Sequence, residues 1–305
     1  MGRYIEGVFE SFRKSLNVNL WLNSLGINVV AFLATGIIVL LLFAGMIAML
    51  LPYFGGQASA IELMQKIISD VPKLLITAAV LFFIFLVLSI FVQAYFIGAG
   101  LNQGRDFLEG KGLSIFKVLR VQFGRAILEF MVIFIMLILG LALFLMLMLP
   151  SLFGIIDFLP KISSLAAQGT QALAVEIYPI IMLFTLNLIV AVCIVLLLEL
   201  LLSPFLWVLA PVVFFEKEGF FGSVKRALKL GFSGYLGSLG YILLFCIIVF
   251  IVSLPFSIIN FIISTALPNI AGGILGFIIM LPYSMWAFGF GNAAMVNLYK
   301  IKAKL

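Results

Sequence analysis

One carboxylate interrupts one of the most apolar stretches of the chain. Glu199 lies within CIVLLLELLLSPFLWV, residues 193–208, five residues before Pro204. A charge at the centre of a bilayer costs at least about 2.5 kcal/mol, so it needs a partner or a function. A proline frees a backbone carbonyl in the preceding turn, and a protonated Glu199 could donate to it. Two interpretations stay open: a neutral structural hydrogen bonder, or a proton or cation site in a central cleft that faces the helix bundle.

Other polar side chains in apolar segments could join Glu199 in a candidate intramembrane site. These are Ser203, Asn187 and Asn292. Amide side chains in a membrane usually bond across helices, at about 0.6–2 kcal/mol each, although some line cavities. Glu129 stands near one end of its apolar segment, and we expect it to reach cytoplasmic water.

The segment around Glu199 is too long for one straight crossing. Residues 179–215 would extend about 55 Å as a single helix, against a hydrocarbon core of about 30 Å. Broken helices are tolerated in membranes where they face protein or a cavity. We therefore predict helix breaks at Pro204 and Pro211, and at Pro282, where LPYSMW follows the pattern of SPFLW.

The sequence carries little else that enzymes use. It contains no histidine, which is the usual general base and the commonest metal ligand. Cys193 and Cys246 lie in apolar runs, which is typical of buried thiols. Without a histidine, a cysteine near a base or a carboxylate cluster, no hydrolytic site is visible. We expect that the protein has no enzymatic activity, no metal site and no cofactor.

The composition indicates an all-α membrane protein. Hydrophobic residues make up 65% of the 305 residues and charged residues 10%, whereas a soluble domain is about one quarter charged. The apolar runs are continuous and about 20 residues or longer, as in spanning helices, and they lack the alternation of barrel strands. We predict six spans, at about 25–51, 74–100, 127–150, 178–214, 238–263 and 274–299.

The basic residues predict how these spans are threaded. Most of the 18 Lys and Arg residues lie in the N-terminal arm, the connections between spans 2 and 3 and spans 4 and 5, and the C-terminal tail. The side of a membrane protein that is rich in Lys and Arg is cytoplasmic. We therefore predict a multi-pass protein of the cell membrane with both termini in the cytoplasm. Basic residues that alternate with spans give no support to nucleic-acid binding.

Two similar motifs indicate an internal repeat. FESFRKSL (9–16) and FGSVKRAL (221–228) share an aromatic residue, a serine, a basic pair and a leucine, and GLSIFKVL (112–119) is a weaker copy. Each precedes two spans, so we predict a single integral membrane domain of three tandem units, at about 1–101, 102–215 and 216–305. All three units begin on the same side, as in parallel repeats.

The motifs read as amphipathic helices in the inner membrane surface. In the first copy Ile5, Val8, Phe9, Phe12 and Leu16 share one helical face. We expect the basic residues to point toward headgroups and water. These are Arg13, Lys14, Lys117, Arg120, Lys225 and Arg226. Such helices either anchor the hairpins or bind anionic lipid headgroups or a protein partner that the sequence does not identify.

The stretch EGFFGSVKRALKLGFSGYLGSLGYILLF (218–245) resembles a broad group of prokaryotic membrane families. It is similar to the membrane domain of some glycerophosphodiester phosphodiesterases and to archaeal and bacterial families of unknown function. The resemblance implies a six-helix membrane domain over the whole chain and no activity, because the hydrolase domain of some relatives is absent.

Two functions follow as hypotheses. The first is a transport-like or lipid-handling protein with a cleft near Glu199. The alternative is a non-catalytic membrane scaffold or partner-binding module.

The topology predicts the outcome of cysteine labelling. Cysteines at Ser11, Ser114 and Ser223 should react only from the cytoplasmic side, and a cysteine at Ser163 only from outside. A membrane-impermeant maleimide applied to intact cells and to inverted vesicles measures this, and any exchange between the two groups would exclude the six-span topology.

Overall fold

The computed structural model describes residues 2–54, 60–112, 114–158, 170–267 and 269–304, whose secondary structure is helical. The helices in chain order are α1 (Gly2–Ser15), α2 (Val18–Phe54), α3 (Ala60–Leu108), α4 (Ile115–Val118), α5 (Phe123–Phe158), α6 (Thr170–Phe215), α7 (Phe220–Phe232), α8 (Tyr235–Ala266) and α9 (Asn269–Ala303).

Six of these helices, α2, α3, α5, α6, α8 and α9, are long and apolar enough to cross a membrane. They confirm the prediction of six spanning helices and a multi-pass membrane protein. Their apolar segments have 32 to 40 residues, where about 20 residues suffice to cross the hydrocarbon core. The helices are therefore longer than a crossing of the hydrocarbon core requires.

The helices run unbroken through Pro204, Pro211 and Pro282, so the predicted breaks are wrong. Lipid offers no hydrogen-bond partner to the backbone of a broken helix. The helix therefore stays continuous through a proline when a side chain binds the carbonyl that the proline leaves without its partner. In α6 that carbonyl belongs to Leu200, and the hydroxyl of Ser203 donates to it at 2.7 Å.

The chain forms two compact units. Unit 1 comprises Met1–Met131 and Phe205–Leu305, and unit 2 comprises Val132–Pro204. In unit 1, α3 packs against α2 and α9, and α1 packs against α9 and α8. The buried side chains of unit 1 include Leu20, Leu101, Tyr241, Phe290 and Leu298.

Four basic segments of unit 1 meet at one place, which we call the basic end. These are α1, the connection from α3 to α5, the connection from α6 to α8, and the last turns of α9. Side chains join them: Lys14 donates to the carbonyl of Leu108, Lys300 pairs with Glu109 and Arg125 donates to the carbonyl of Glu218. The segments with most of the positive charge thus lie on one side of unit 1, as the charge distribution predicts.

The motif copies differ in what they form. FESFRKSL lies in α1 apart from its last residue, and FGSVKRAL lies in α7. GLSIFKVL forms only the single turn α4, because Ser114 is still extended at φ −129° and ψ 126°. Ser11 and Ser223 are fully buried, so cysteines there would not react; Ser114 is exposed, and Ser163 lies outside the described residues.

Close packing of α3 on α9 depends on glycine. A Cβ added at Gly104 would stand 2.8 Å from the carbonyl oxygen of Asn292, a backbone atom that cannot move aside. We expect Gly104→Ala to destabilise unit 1 by about 1–3 kcal/mol because it forces the helices apart. Thermal unfolding in detergent measures this.

Gly36→Ala is the matched control, since nothing lies within 4 Å of a Cβ at Gly36. There the greater helix propensity of alanine should leave the stability unchanged or increase it. Equal unfolding temperatures for the two variants would contradict the close contact.

Candidate functional site

No helix in the described part of unit 2 covers Glu199. Its side chain is exposed on α6, and no hydrogen bond or ion pair joins it to the described residues. Among the described residues of unit 2 no packed helix contact encloses Glu199, and its predicted place in a central cleft stays a prediction. The carbonyl that it was expected to bind is taken by Ser203, one residue before the proline.

The polar residues that the sequence grouped with Glu199 belong to two units. In unit 2, Asn187 donates to the hydroxyl of Ser151 at 2.6 Å and so joins α6 to α5. Asn187 and Glu199 are 12 residues apart on one helix, which corresponds to about 18 Å. Asn292 belongs to unit 1 and donates to Phe288 in its own helix at 2.8 Å. Each amide thus has a structural partner, as membrane amides usually do.

Glu129, which the sequence analysis expected to reach water, is buried. Glu129 is 4% exposed, and its Oε2 atom has no hydrogen-bond partner among the described residues. Ala126 and Val132, three residues to either side, are also buried. The small residue one turn before Glu129 is the sequence signal that marks this helix face as packed.

The short helix α1 is held on α9 by hydrogen bonds from buried side chains. Asn297 donates to the carbonyl of Gly7 at 2.8 Å and to the hydroxyl of Ser11 at 3.0 Å. The indole of Trp286 donates to the hydroxyl of Ser15 at 3.0 Å. The residues of α1 that receive these hydrogen bonds, Gly7, Ser11 and Ser15, are small and spaced by four, which allows the backbones to approach closely.

The remaining surface of α1 divides into two faces. Ile5, Phe9 and Leu16 are exposed, with Phe9 at 51% and Leu16 at 54%. At 100° per residue these three positions lie within 40° of one another. The charged residues Arg3, Glu6, Glu10, Arg13 and Lys14 occupy the rest of the circumference. Hence α1 has a small buried face, an exposed apolar face and a charged face.

The helix α7 has the same three faces. Its buried residues are Ser223, Ala227, Leu230 and Gly231. Its exposed apolar residues are Phe221, Leu228 and Phe232, with Phe221 at 84%. Its charged residues are Lys225, Arg226 and Lys229. In both helices the faces follow one another in the same rotational sense, and the serines at 11 and 223 occupy the same place on the buried face.

The predicted interfacial basic residues fall into two groups. Three are paired: Lys14 with Glu10 at 2.7 Å, Lys117 with Asp106 at 3.1 Å and Arg226 with Glu216 at 3.4 Å. The other three, Arg13, Arg120 and Lys225, are exposed, and no carboxylate of the described residues pairs with them. Their charge is available to a ligand.

A charged cavity of about 330 Å³ opens beside α1 at the basic end. Its lining includes Arg3, Glu6 and Lys304. Next to it, Glu109 holds Lys300 of α9, and hydrogen bonds from Lys111 and Lys300 lower the pKa of Glu109. Glu109 therefore stays ionised at neutral pH and keeps the end of α9 on the end of α3.

Comparison with known proteins gives no match among protein-family models, curated proteins or solved structures. The geometry of the described residues is therefore the basis for any functional proposal.

The exposure of Glu199 predicts that its carboxylate does not stabilise the fold. We expect Glu199→Leu and Glu199→Gln to leave the free energy of unfolding unchanged or higher, because the substitutions remove a charge that no described residue binds. Unfolding of the reconstituted protein measures this.

Glu199→Leu would instead lose about 1–3 kcal/mol if the group were buried against a partner. Such a loss, rescued by Glu199→Gln, would contradict the exposed position.

Proposed function

We propose that this chain is a non-catalytic, lipid-binding protein of the cell membrane whose helices α1 and α7 lie in the cytoplasmic surface of the bilayer. The observation that carries the proposal is the shared order of three faces on these helices. A buried small face holds each helix on unit 1, which leaves the apolar and charged faces to the surroundings.

The exposed apolar faces fit acyl chains. Phe9 on α1 and Phe221 on α7 are large side chains that protein covers by half or less. An interfacial helix buries such residues about 5–10 Å into the boundary between headgroups and acyl chains. The lipid then covers what unit 1 leaves open.

The unpaired basic residues fit anionic headgroups. Arg13 and Lys225 stand next to the apolar faces of α1 and α7 and have no carboxylate partner among the described residues. Basic residues near an anionic membrane surface contribute about 1 kcal/mol each. Their position supports an inner-surface location, since anionic lipids and basic segments both favour that side.

The same features support the finer predictions of fold and topology. Two three-faced helices, each before a pair of spanning helices, support three tandem parallel units at about 1–101, 102–215 and 216–305. The gathering of basic segments at one end supports cytoplasmic termini. The resemblance to the membrane domain of glycerophosphodiester phosphodiesterases stays a prediction and adds no activity.

A transport-like role with a cleft near Glu199 stays a prediction, and the exposed position of Glu199 in unit 2 adds no support to it. A scaffold or partner-binding module remains the alternative, since a protein surface could cover the same faces. Lipid composition separates the two, because a scaffold that binds only protein gains nothing from anionic lipid.

The proposal predicts that anionic lipid stabilises the protein through Arg13 and Lys225. We expect the unfolding temperature to be higher in nanodiscs with phosphatidylglycerol than in pure phosphatidylcholine nanodiscs, and the difference to shrink with added salt. The double variant Arg13→Gln, Lys225→Gln should lose at least about half of this difference.

The control is Arg13→Lys with Lys225→Arg, which keeps both charges and should retain the difference. Equal unfolding temperatures of the unmodified protein in both nanodiscs would overturn the proposal.

A further inference from the structure

A small apolar groove lies between α1, α2, α8 and α9 in unit 1. We call it the aromatic groove, and its volume is about 150 Å³. Its lining residues are Phe12, Leu16, Trp21, Val252, Phe256, Pro282, Tyr283 and Trp286. An apolar cavity of this size does not hold water and can take hydrocarbon.

The two tryptophans of the groove are fixed by one residue. The indole of Trp21 donates to the carbonyl of Ser15 at 2.6 Å, and the indole of Trp286 donates to the hydroxyl of Ser15 at 3.0 Å. Both indole N–H groups are thus satisfied within the protein, so the tryptophans present carbon atoms to the groove.

The other aromatic rings extend this surface along α8 and α9. Tyr283 lies between Phe256 and Trp286, with ring centroids 5.7 and 6.1 Å away. This row of rings favours an elongated apolar group over a polar one, because the surface that lines the groove is almost entirely carbon and would not replace the hydration of a polar ligand.

The groove continues into the exposed apolar face of α1 and ends beside a free cation. Leu16 lines the groove and is itself 54% exposed. Arg13 lies in the last turn of α1, and Leu16 follows the end of α1 directly. Arg13 is exposed and has no carboxylate partner among the described residues, whereas Lys14 is engaged by Glu10. The aromatic groove therefore combines an apolar surface that fits hydrocarbon with the unpaired positive charge of Arg13.

We propose that the aromatic groove binds one acyl chain of an anionic phospholipid whose phosphate pairs with Arg13. This inference rests on the proposed function and adds a defined site and a ligand class to it. A zwitterionic lipid would fill the groove equally well but would place a positive group near Arg13, so the site prefers the anionic lipid.

The three tryptophans of the chain provide a direct test. Trp207 packs on Tyr241 and Phe245 and is not among the groove residues, so Trp207→Phe leaves Trp21 and Trp286 as reporters of the groove. Brominated acyl chains quench tryptophan fluorescence on contact. The variant is reconstituted in phosphatidylcholine vesicles that contain increasing fractions of brominated phosphatidylglycerol or brominated phosphatidylcholine.

We expect the brominated phosphatidylglycerol to compete for the quenching position about fivefold better than the brominated phosphatidylcholine, as one basic residue would provide. Arg13→Gln in the same background should abolish this preference, and Arg13→Lys should retain it. Val252→Phe narrows the groove and should lower quenching by both lipids. Equal quenching by the two lipids, or a preference that survives Arg13→Gln, would overturn the inference.

Lys225→Gln separates this inference from the proposed function, because α7 contributes no residue to the groove. It should reduce the general stabilisation by anionic lipid and leave the quenching preference unchanged. If stabilisation persists without a quenching preference, only the groove inference fails. If both are absent, the proposed function fails too. Fluorescence that neither lipid quenches would mean that the groove is closed or holds a protein side chain, which also refutes the inference.

Discussion

The basic end depends on the close contact between α1 and α9. Its geometry requires small residues on α1, because Asn297 must reach the backbone at Gly7 and the hydroxyl of Ser11. Lipid tails are as apolar as leucine, so helices in a membrane gain little from burying large apolar residues and associate through packing and hydrogen bonds. The contact with α9 therefore uses the small residues of α1 together with Phe12, which packs on Trp286 and Phe290, whereas Ile5 and Phe9 are exposed.

The ends of α9 and α7 are joined by a second buried contact. Lys302 is fully buried, donates to the carbonyl of Ser233 and lies 5.7 Å from the ring centre of Tyr4 in α1. The carbonyl of Ser233 precedes Gly234, which turns the chain from α7 into α8 at φ 58°, a conformation that glycine adopts without strain. The orientation of α7 is thereby linked to that of α1. Both helices leave apolar and charged faces exposed, which acyl chains and headgroups would complement under the proposed function.

The number of spanning helices was predictable because it depends only on the length of apolar segments. The helical motifs at 9–16 and 221–228 were predictable from periodicity. The buried faces of these helices were not predictable. Hydrophobicity indicates Phe9 and Phe221 as the buried residues, whereas small residues four apart, Gly7, Ser11 and Ser15, occupy packed positions of α1. The burial of Glu129 was not predictable either, for a related reason. The surroundings of Glu199 and Glu129 depend on which face of α6 or α5 packs on other helices, and composition does not contain that information. The break predicted at Pro204 did not occur because Ser203 satisfies the carbonyl freed by the proline.

The central claim is that α1 and α7 lie in the membrane surface with their exposed apolar faces in lipid. Spin labels at Phe9 and Phe221 on the apolar faces, and at Glu6 and Lys225 on the charged faces, test it in reconstituted vesicles. Collision with oxygen, which concentrates in lipid, is compared with collision with a water-soluble nickel complex. The account predicts that oxygen dominates at Phe9 and Phe221 and that the nickel complex dominates at Glu6 and Lys225. Dominance of the nickel complex at all four positions would place both helices in water and contradict the account.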